Sequence, residues 1–303
     1  MKIVMELPFY STISGGVRES LKLAEKMQMI VRFQRLTEEY PQIPMSWTVG
    51  KPDNTFPDCD ICITYSDTPY IDNLIRLPQV GNVYLNMLSY GMCIERESKN
   101  IITRGVKVLC STKKLEKLIG NSVKCIGFGL DMEEMYLQPD VIRGNLLAVM
   151  YSNLEIKRTS LALQIAKELK KEGVIDDYVV FGAPSEHTNY TNATRDEIRY
   201  IFNSCKCYLM PSVSEGLNLT PIEATLCGCP SIICDGAIDE IFLNKQNCFV
   251  VPKDSITIMM GKIKEVLGNY DKYAEPFRAK MIEVTTDKTW DKVIDKLLYE
   301  TTH

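Results

Sequence analysis

The chain has 303 residues, 45% of them hydrophobic and 24% charged, and its formal net charge is −4. This composition is typical of a soluble globular protein, and the length favours two domains. The small negative charge gives no attraction to nucleic acid, and no apolar run reaches the ~18 residues that span a bilayer. Glu6 and Pro8 interrupt the apolar N-terminus, so we predict a first strand there rather than a signal peptide, and a cytoplasmic protein.

Short β-rich runs alternate with helical patterns, which favours an α/β fold with parallel sheets. In the N-terminal half we predict a strand over residues 1–5, a helix from Val17, strands over 61–65, 80–85 and 107–110, a helix capped by Ser111, and a last strand with the turn that follows it over 123–131. In the C-terminal half we predict strands over 145–150, 178–181, 231–234 and 248–251, and helices over 158–171, 256–267 and 290–300.

The helix that begins at Val17 carries a cationic face. Residues 17–35 contain two acids and the basic residues Arg18, Lys22, Lys26, Arg32 and Arg35. Such a face suits a peripheral contact with anionic lipid on the inner face of a membrane. An ordinary surface helix has the same appearance, and we favour that simpler interpretation.

The sequence contains 11 cysteines but only two histidines, His187 and His303. The pair Cys59-x-x-Cys62 has no second pair at zinc-ribbon spacing, and Asp58-Cys59-Asp60 precedes its predicted strand as a solvent-facing turn would. We therefore expect no metal site. Free, buried cysteines in a reducing compartment are expected, and disulfides become an alternative only for a hyperthermophilic source.

Residues 211–224 hold the most informative pattern, Pro-Ser-Val-Ser-Glu-Gly-Leu-Asn-Leu-Thr-Pro-Ile-Glu-Ala. Within it, Thr220-Pro221-Ile222-Glu223 predicts a helix start with Thr220 as N-cap and Glu223 at N3. The free N–H groups and the dipole of such a helix start favour an anion. Glu215 and Glu223 lie on either side of it, an arrangement that suits phosphates flanked by hydroxyl-bearing sugars.

This run resembles the E-x7-E signature of the retaining glycosyltransferases of family four, and the register continues into Gly228-Cys229-Pro230. The resemblance implies the GT-B fold, in which two Rossmann-like domains face each other across a cleft. It implies an acceptor-side domain over residues 1–135 and a nucleotide-sugar domain over 136–285. A C-terminal helix over 286–303 would then pack back toward the first domain.

The resemblance also assigns roles to charged residues. Glu215 would contact hydroxyls of the donor sugar and Glu223 the ribose. The diphosphate leaving group requires neutralisation as the glycosidic bond breaks, and the family supplies an Arg and, five residues later, a Lys. Lys157 occupies the Lys position, but Ser152 stands where the Arg is expected, and the adjacent Arg158 is considered as a substitute.

The remaining donor contacts implied by the resemblance are glycines and loop positions. Gly15 and Gly16 match the glycine pair that approaches the donor, and Gly182 ends a strand beside the nucleotide, with residues 190–194 near the base. The loop that would bind the diphosphate contains Gly216, Leu217, Asn218, Leu219 and Thr220. Asn218 replaces a family glycine, and because Asn tolerates a left-handed backbone, we expect the loop to persist.

We therefore predict a retaining, metal-independent enzyme that moves a sugar, expected to be a hexose, from a nucleotide diphosphate sugar to a hydroxyl acceptor. A glycan, a lipid-linked acceptor or a protein glycan could supply that hydroxyl, and no cofactor is expected. The His that many relatives carry in the first domain is absent, and Asn86 or Tyr90 would occupy its region. The missing His and Arg leave open a catalytically silent nucleotide-sugar-binding protein. A nucleotide-sugar hydrolase or epimerase fits the intact run less well.

Overall fold

A computed structural model describes residues 1–7, 15–33, 48–49, 56–64, 68–87, 102, 104–120 and 123–302. The chain forms two compact units, Met1–Gly129 together with Lys288–His303, and Leu130–Asp287. Each unit is built on one parallel sheet with helices in the connections, so the predicted α/β class is confirmed.

The first unit contains a parallel sheet in the order β3-β2-β1-β4-β5-β6-β7. Its elements are β1 (Ile3–Leu7), α1 (Gly15–Lys26), β2 (Ile30–Phe33), β3 (Thr48–Val49), β4 (Cys59–Thr64), α2 (Thr68–Leu74), β5 (Val80–Met87), β6 (Lys107–Cys110), α3 (Lys113–Ile119) and β7 (Val123–Cys125). The central strands are almost continuous apolar runs, which is expected where helices cover both faces of a parallel sheet.

Arg32 lies in β2 and not on the cationic helix, so that prediction was wrong. The helix α1 ends at Lys26, and Arg32 is buried with its Nε 3.5 Å from Glu6 Oε2. Its guanidinium also lies 4.6 Å from the centre of the Phe56 ring. Arg32 therefore contributes nothing to a surface patch, and Arg35 falls outside the described residues.

Two local predictions in this unit also need correction. The helix α3 is capped by Thr112 rather than Ser111, because Thr112 Oγ1 accepts a hydrogen bond from the Leu115 N–H at 3.3 Å. Asp60 lies within β4 and not in a turn before it, and its carboxylate accepts a hydrogen bond from the Lys2 N–H at 2.6 Å.

The second unit contains a parallel sheet in the order β10-β9-β8-β11-β12-β13. Its elements are β8 (Leu146–Tyr151), α4 (Thr159–Lys171), β9 (Asp177–Gly182), β10 (Tyr190–Thr191), α5 (Arg195–Ser204), β11 (Cys207–Met210), α6 (Leu219–Leu226), β12 (Ser231–Cys234), β13 (Phe249–Val251), α7 (Ile256–Gly268) and α8 (Tyr270–Thr285). All ten cysteines in the described part of the chain are free and buried.

The last helix, α9 (Trp290–Thr302), packs in the first unit, where Trp290, Val293 and Leu297 are buried in the core. Gly129 makes this packing close, because a Cβ there would come within 2.2 Å of the Trp290 ring. Among the helices of the described residues, none is long and apolar enough to cross a membrane.

Candidate functional site

The loop between β11 and α6 carries the most informative sequence run. The helix α6 begins at Leu219 and not after Thr220, and Asn218 occupies the N-cap position without a side-chain cap. The predicted capping box is therefore wrong. Thr220 Oγ1 instead accepts a hydrogen bond at 3.0 Å from the hydroxyl of Tyr208, which is buried on β11. This bond leaves the Thr220 hydroxyl hydrogen available as a donor at the helix start.

The loop is held by backbone contacts and not by a left-handed residue. Asn218 has φ −102° and ψ 84°, so the expected use of its left-handed tolerance is not seen. Gly236 allows close approach of the turn after β12, because a Cβ there would lie 2.0 Å from the Val213 carbonyl oxygen. Ser212 Oγ and Asn218 Nδ2 are buried without a hydrogen-bond partner among the described residues. Polar atoms in that state are candidates for ligand contacts.

Lys157 and Glu215 are brought together by a link between two loops. Lys157 ends a short 3-10 turn, Glu155–Lys157, and the Val213 N–H donates to the Ile156 carbonyl oxygen at 2.9 Å. Lys157 Nζ then lies 2.5 Å from Glu215 Oε1, and the two side chains are 18% and 8% exposed. A cation and a carboxylate are thus paired in a largely buried position at the loop before α6.

Glu223 lies inside α6 and is almost fully buried, and its partner is Arg195. Arg195 Nη2 lies 2.8 Å from Glu223 Oε1, while Arg195 Nε donates to Glu134 Oε2 at 3.0 Å. Burial alone would lower the pKa of the Arg195 guanidinium, but the two carboxylates outweigh it and raise that pKa above its ordinary value. Arg195 therefore stays charged.

Ser152, at the position of the expected Arg, and Arg158, the substitute considered for it, contact other groups. Ser152 Oγ accepts a hydrogen bond from the Leu154 N–H at 3.2 Å, so it shapes the loop and supplies no charge. Arg158 adopts a left-handed φ of 51° at the start of α4. Its guanidinium donates to the Lys253 carbonyl oxygen and lies 3.9 Å from Asp254 Oδ1. Arg158 is thus directed away from the Lys157–Glu215 pair.

Gly182 ends β9 in a conformation that favours glycine, with φ 127°. A Cβ there would lie 2.4 Å from the Tyr151 carbonyl oxygen at the end of β8. The following edge strand β10 pairs Tyr190 with Phe181, and the Asn192 N–H donates to the Gly182 carbonyl oxygen at 2.9 Å. These contacts fix the residues at the carboxyl end of β9. Parallel α/β domains bind ligands at the carboxyl ends of their strands.

The other predicted site residues lie in the first unit or outside the residues that the structure describes. Gly15 and Gly16 form the first residues of α1, and Asn86 is buried near the end of β5. Tyr90 lies outside the described residues. Among those that are described, His, Cys, Asp and Glu form no cluster that could hold a metal ion.

Sequence reasoning missed Arg195, Glu134 and Tyr208. A signal for Arg195 was present, since Thr194-x-x-Glu197 is a capping-box pattern that predicts a helix start. The structure contains that box, with both reciprocal hydrogen bonds, and α5 begins at Arg195. No comparable signal marks Glu134 or Tyr208.

Comparison with known proteins gives one family match and several similar folds. Residues 148–269 match the family model of the glycosyl transferases group 1. This segment contains Lys157, Arg195, Glu215 and Glu223, and so covers most of the site in the second unit. No curated protein sequence matches the chain.

The fold is that of solved GT-B glycosyltransferase structures. HepE of Anabaena superposes with a TM-score of 0.79 at 10% identity, covering 100% of both chains. A glycosyltransferase from Rickettsia africae gives 0.72 at 15% identity, covering 99% of this chain and 97% of its own. TarM of S. aureus gives 0.66 at 15% identity over 80% of this chain, which spans only 55% of the TarM chain. The predicted GT-B fold class is confirmed.

Proposed function

We propose that the chain is a glycosyltransferase that moves a sugar from a nucleotide diphosphate sugar to a hydroxyl acceptor. The observation that carries the proposal is the pairing of Lys157 Nζ with Glu215 Oε1 at 2.5 Å beside the start of α6. The match of residues 148–269 to the glycosyl transferases group 1 supports it. So do the ligands of two similar structures, UDP and glucose in HepE, and UDP with α-GlcNAc-glycerol in TarM.

The diphosphate would bind where Lys157 and the start of α6 supply positive charge. The backbone N–H groups of Gly216, Leu217 and Leu219, together with the Thr220 hydroxyl, are donors suited to phosphate oxygens. Lys157 would neutralise the charge that develops on the leaving group, an effect that commonly contributes about 3–4 kcal/mol to the transition state. Glu215 holds Lys157 in place before the donor arrives and would then accept hydrogen bonds from the sugar hydroxyls.

We propose retention of configuration at the anomeric carbon, and a hexose as the donor sugar. The bond from C1 to the phosphate oxygen breaks, the nucleoside diphosphate leaves with the electron pair, and the acceptor oxygen bonds to C1 on the same face. The acceptor proton passes to the departing phosphate oxygen, so no protein base is needed. Gly15 and Gly16 of α1 and Gly182 of β9 are proposed as donor contacts where backbone must approach closely.

A second candidate is a protein that binds nucleotide sugars without turnover. The observation that favours it is Ser152, which stands where a cation is expected and is bonded to the Leu154 N–H. Arg158 does not replace that cation, because it faces Lys253 and Asp254. Leaving-group stabilisation would then depend on Lys157 and the α6 start, which lowers the expected rate but not donor binding.

Nucleotide release and product formation separate the two candidates. UDP-, GDP- and ADP-sugars would be incubated with glycan, lipid-linked and glycoprotein acceptors, and the anomeric configuration of the product determined by NMR. We expect turnover with retention, lowered by at least ~10²-fold in Glu215→Gln and in Lys157→Met. Lys170→Met is the matched control, because Lys170 pairs with Asp177 on the exposed surface. Tight binding without turnover in every mixture would favour the silent binder.

A further inference from the structure

Arg195 joins three segments of the second unit that are far apart in the sequence. Its Nη2 lies 2.8 Å from Glu223 Oε1 on α6, and its Nε donates to Glu134 Oε2 at 3.0 Å, ahead of β8. Arg195 itself is the first residue of α5. One guanidinium therefore bonds both the buried Glu223 carboxylate and the partly exposed Glu134 carboxylate.

The backbone of Arg195 is fixed by the capping box at the start of α5. Thr194 Oγ1 accepts from the Glu197 N–H at 3.2 Å, and Glu197 Oε2 accepts from the Thr194 N–H at 2.7 Å. The Glu223 carboxylate is 5% exposed and belongs to a helix that is buried almost throughout. Both ends of the ion pair thus start from rigid elements, as a precise binding site requires.

The pair also restricts what Glu223 can do. A planar guanidinium bonded to Oε1 fixes the orientation of the carboxylate. In metal sites, a hydrogen-bond partner orients a ligand side chain in the same way. Arg195 Nη1 is buried and has no hydrogen-bond partner among the described residues, so one strong donor remains beside the carboxylate.

We propose that Arg195 is a positioning and specificity residue, which holds Glu223 in the orientation that recognises the ribose hydroxyls of a nucleoside diphosphate, with Glu134 holding the guanidinium from the other side. The inference rests on the proposed function, because it takes Glu223 as the ribose-binding acid. It predicts that loss of the Arg195–Glu223 bond removes the preference for a ribose that carries its hydroxyls.

The test is titration calorimetry on the full chain with paired nucleotides. The probes are whichever of UDP, GDP and ADP the wild type binds most tightly, and its 2′,3′-dideoxy form. A hydrogen bond to a charged group contributes a factor of ~10–100 in affinity, so the wild type should prefer the ribonucleotide by at least ~10-fold. In Arg195→Gln and Arg195→Lys we expect the preference to fall below ~3-fold, with affinity for the dideoxy form unchanged within ~2-fold.

Arg199→Gln is the matched control. Arg199 lies one turn further along α5, and its guanidinium donates to the Glu134 backbone carbonyl oxygen at 3.1 Å and to the Asp196 carboxylate at 2.5 Å. It should keep the wild-type preference. If Arg195→Gln does not fold, Arg195→Lys and Glu134→Gln decide the question, and both should lose preference.

The outcomes separate this inference from the proposed function. Arg195 variants that weaken both nucleotides equally would show a purely structural role and overturn the inference, while donor binding stands. A wild type that binds nucleotide without ribose preference would overturn it too and leave the diphosphate site intact. A wild type that binds none of the three nucleotides would overturn the proposed function itself.

Discussion

Lys157 and Glu215, 58 positions apart in the sequence, meet at 2.5 Å in the second unit. The contact depends on backbone geometry, because the Val213 N–H ties the Glu215 loop to the turn that carries Lys157. This ion pair is largely buried, so Glu215 fixes the position of the Lys157 ammonium. Under the proposed function, the donor diphosphate would bind Lys157 without a rearrangement of the backbone.

Replacement of Lys157 tests this relationship. We expect Lys157→Met to lower kcat by ~10²–10³, because leaving-group charge is no longer neutralised. The free energy of unfolding should also fall by about 1–3 kcal/mol, since Glu215 is left buried without its cation. Lys157→Arg should retain most of the stability. An unchanged kcat in Lys157→Met, measured under saturating donor, would contradict the proposed role.

Tyr208 should set the direction of the Thr220 hydroxyl. Tyr208→Phe removes the hydroxyl that donates to Thr220 Oγ1 at 3.0 Å, so the Thr220 hydroxyl is no longer oriented. Affinity for a nucleoside diphosphate should then fall ~3–10-fold. Thr220→Val should produce a similar loss. Because both changes remove the same contact, calorimetry on the double variant should show no further loss, whereas additive losses would disprove the coupling.

The sequence was informative where local patterns decide the structure. The strands β6 and β12 were predicted to the residue, because short apolar runs are bounded there by polar or loop residues. Lys157 and Glu215 could be placed in one site only through the resemblance to a family, since no local rule joins residues so far apart. Their actual bond, at 2.5 Å, required the tertiary structure.

What could not be predicted depends on packing. The helix α8 contains Pro276, which would normally end a helix, yet it continues to Thr285, and Phe277 and Met281 are buried after the proline. The helix α6 begins at Leu219, and the Thr220 hydroxyl accepts from Tyr208 instead of capping the helix, an interaction that no sequence pattern reveals. Neither Arg195 nor the helix α5 was predicted, although the capping-box pattern Thr194-x-x-Glu197 indicates a helix start there.

Gly182 and Gly261 should respond to alanine in opposite directions. Gly182 has φ 127°, and a Cβ would lie 2.4 Å from the Tyr151 carbonyl oxygen, so Gly182→Ala should destabilise the protein by more than ~1 kcal/mol. Gly261 lies inside α7 with nothing within 4 Å of its Cβ position, so Gly261→Ala should stabilise by about 0.5–1 kcal/mol. Urea denaturation measures both, and equal signs would contradict the local geometry.

Burial should protect the described cysteines from thiol reagents. It raises the pKa of Cys205 and Cys248 to about 12 and that of Cys234 to about 11, so little thiolate exists at pH 8. Cys125 is the expected exception, because a hydrogen bond from the neighbouring Cys110 lowers its pKa to about 7. Its thiolate fraction rises as the pH passes upward through that value.

The measurement is the time course of labelling with a disulfide reagent in a Cys93→Ser variant, since Cys93 lies outside the described residues. At pH 8 we expect slow labelling, limited by opening of the structure, for every thiol except Cys125, which should react first and more slowly at pH 6. In denaturant all ten remaining thiols should react at once. Immediate reaction of most thiols in the native protein would show that the cores of the two units are not closed as described.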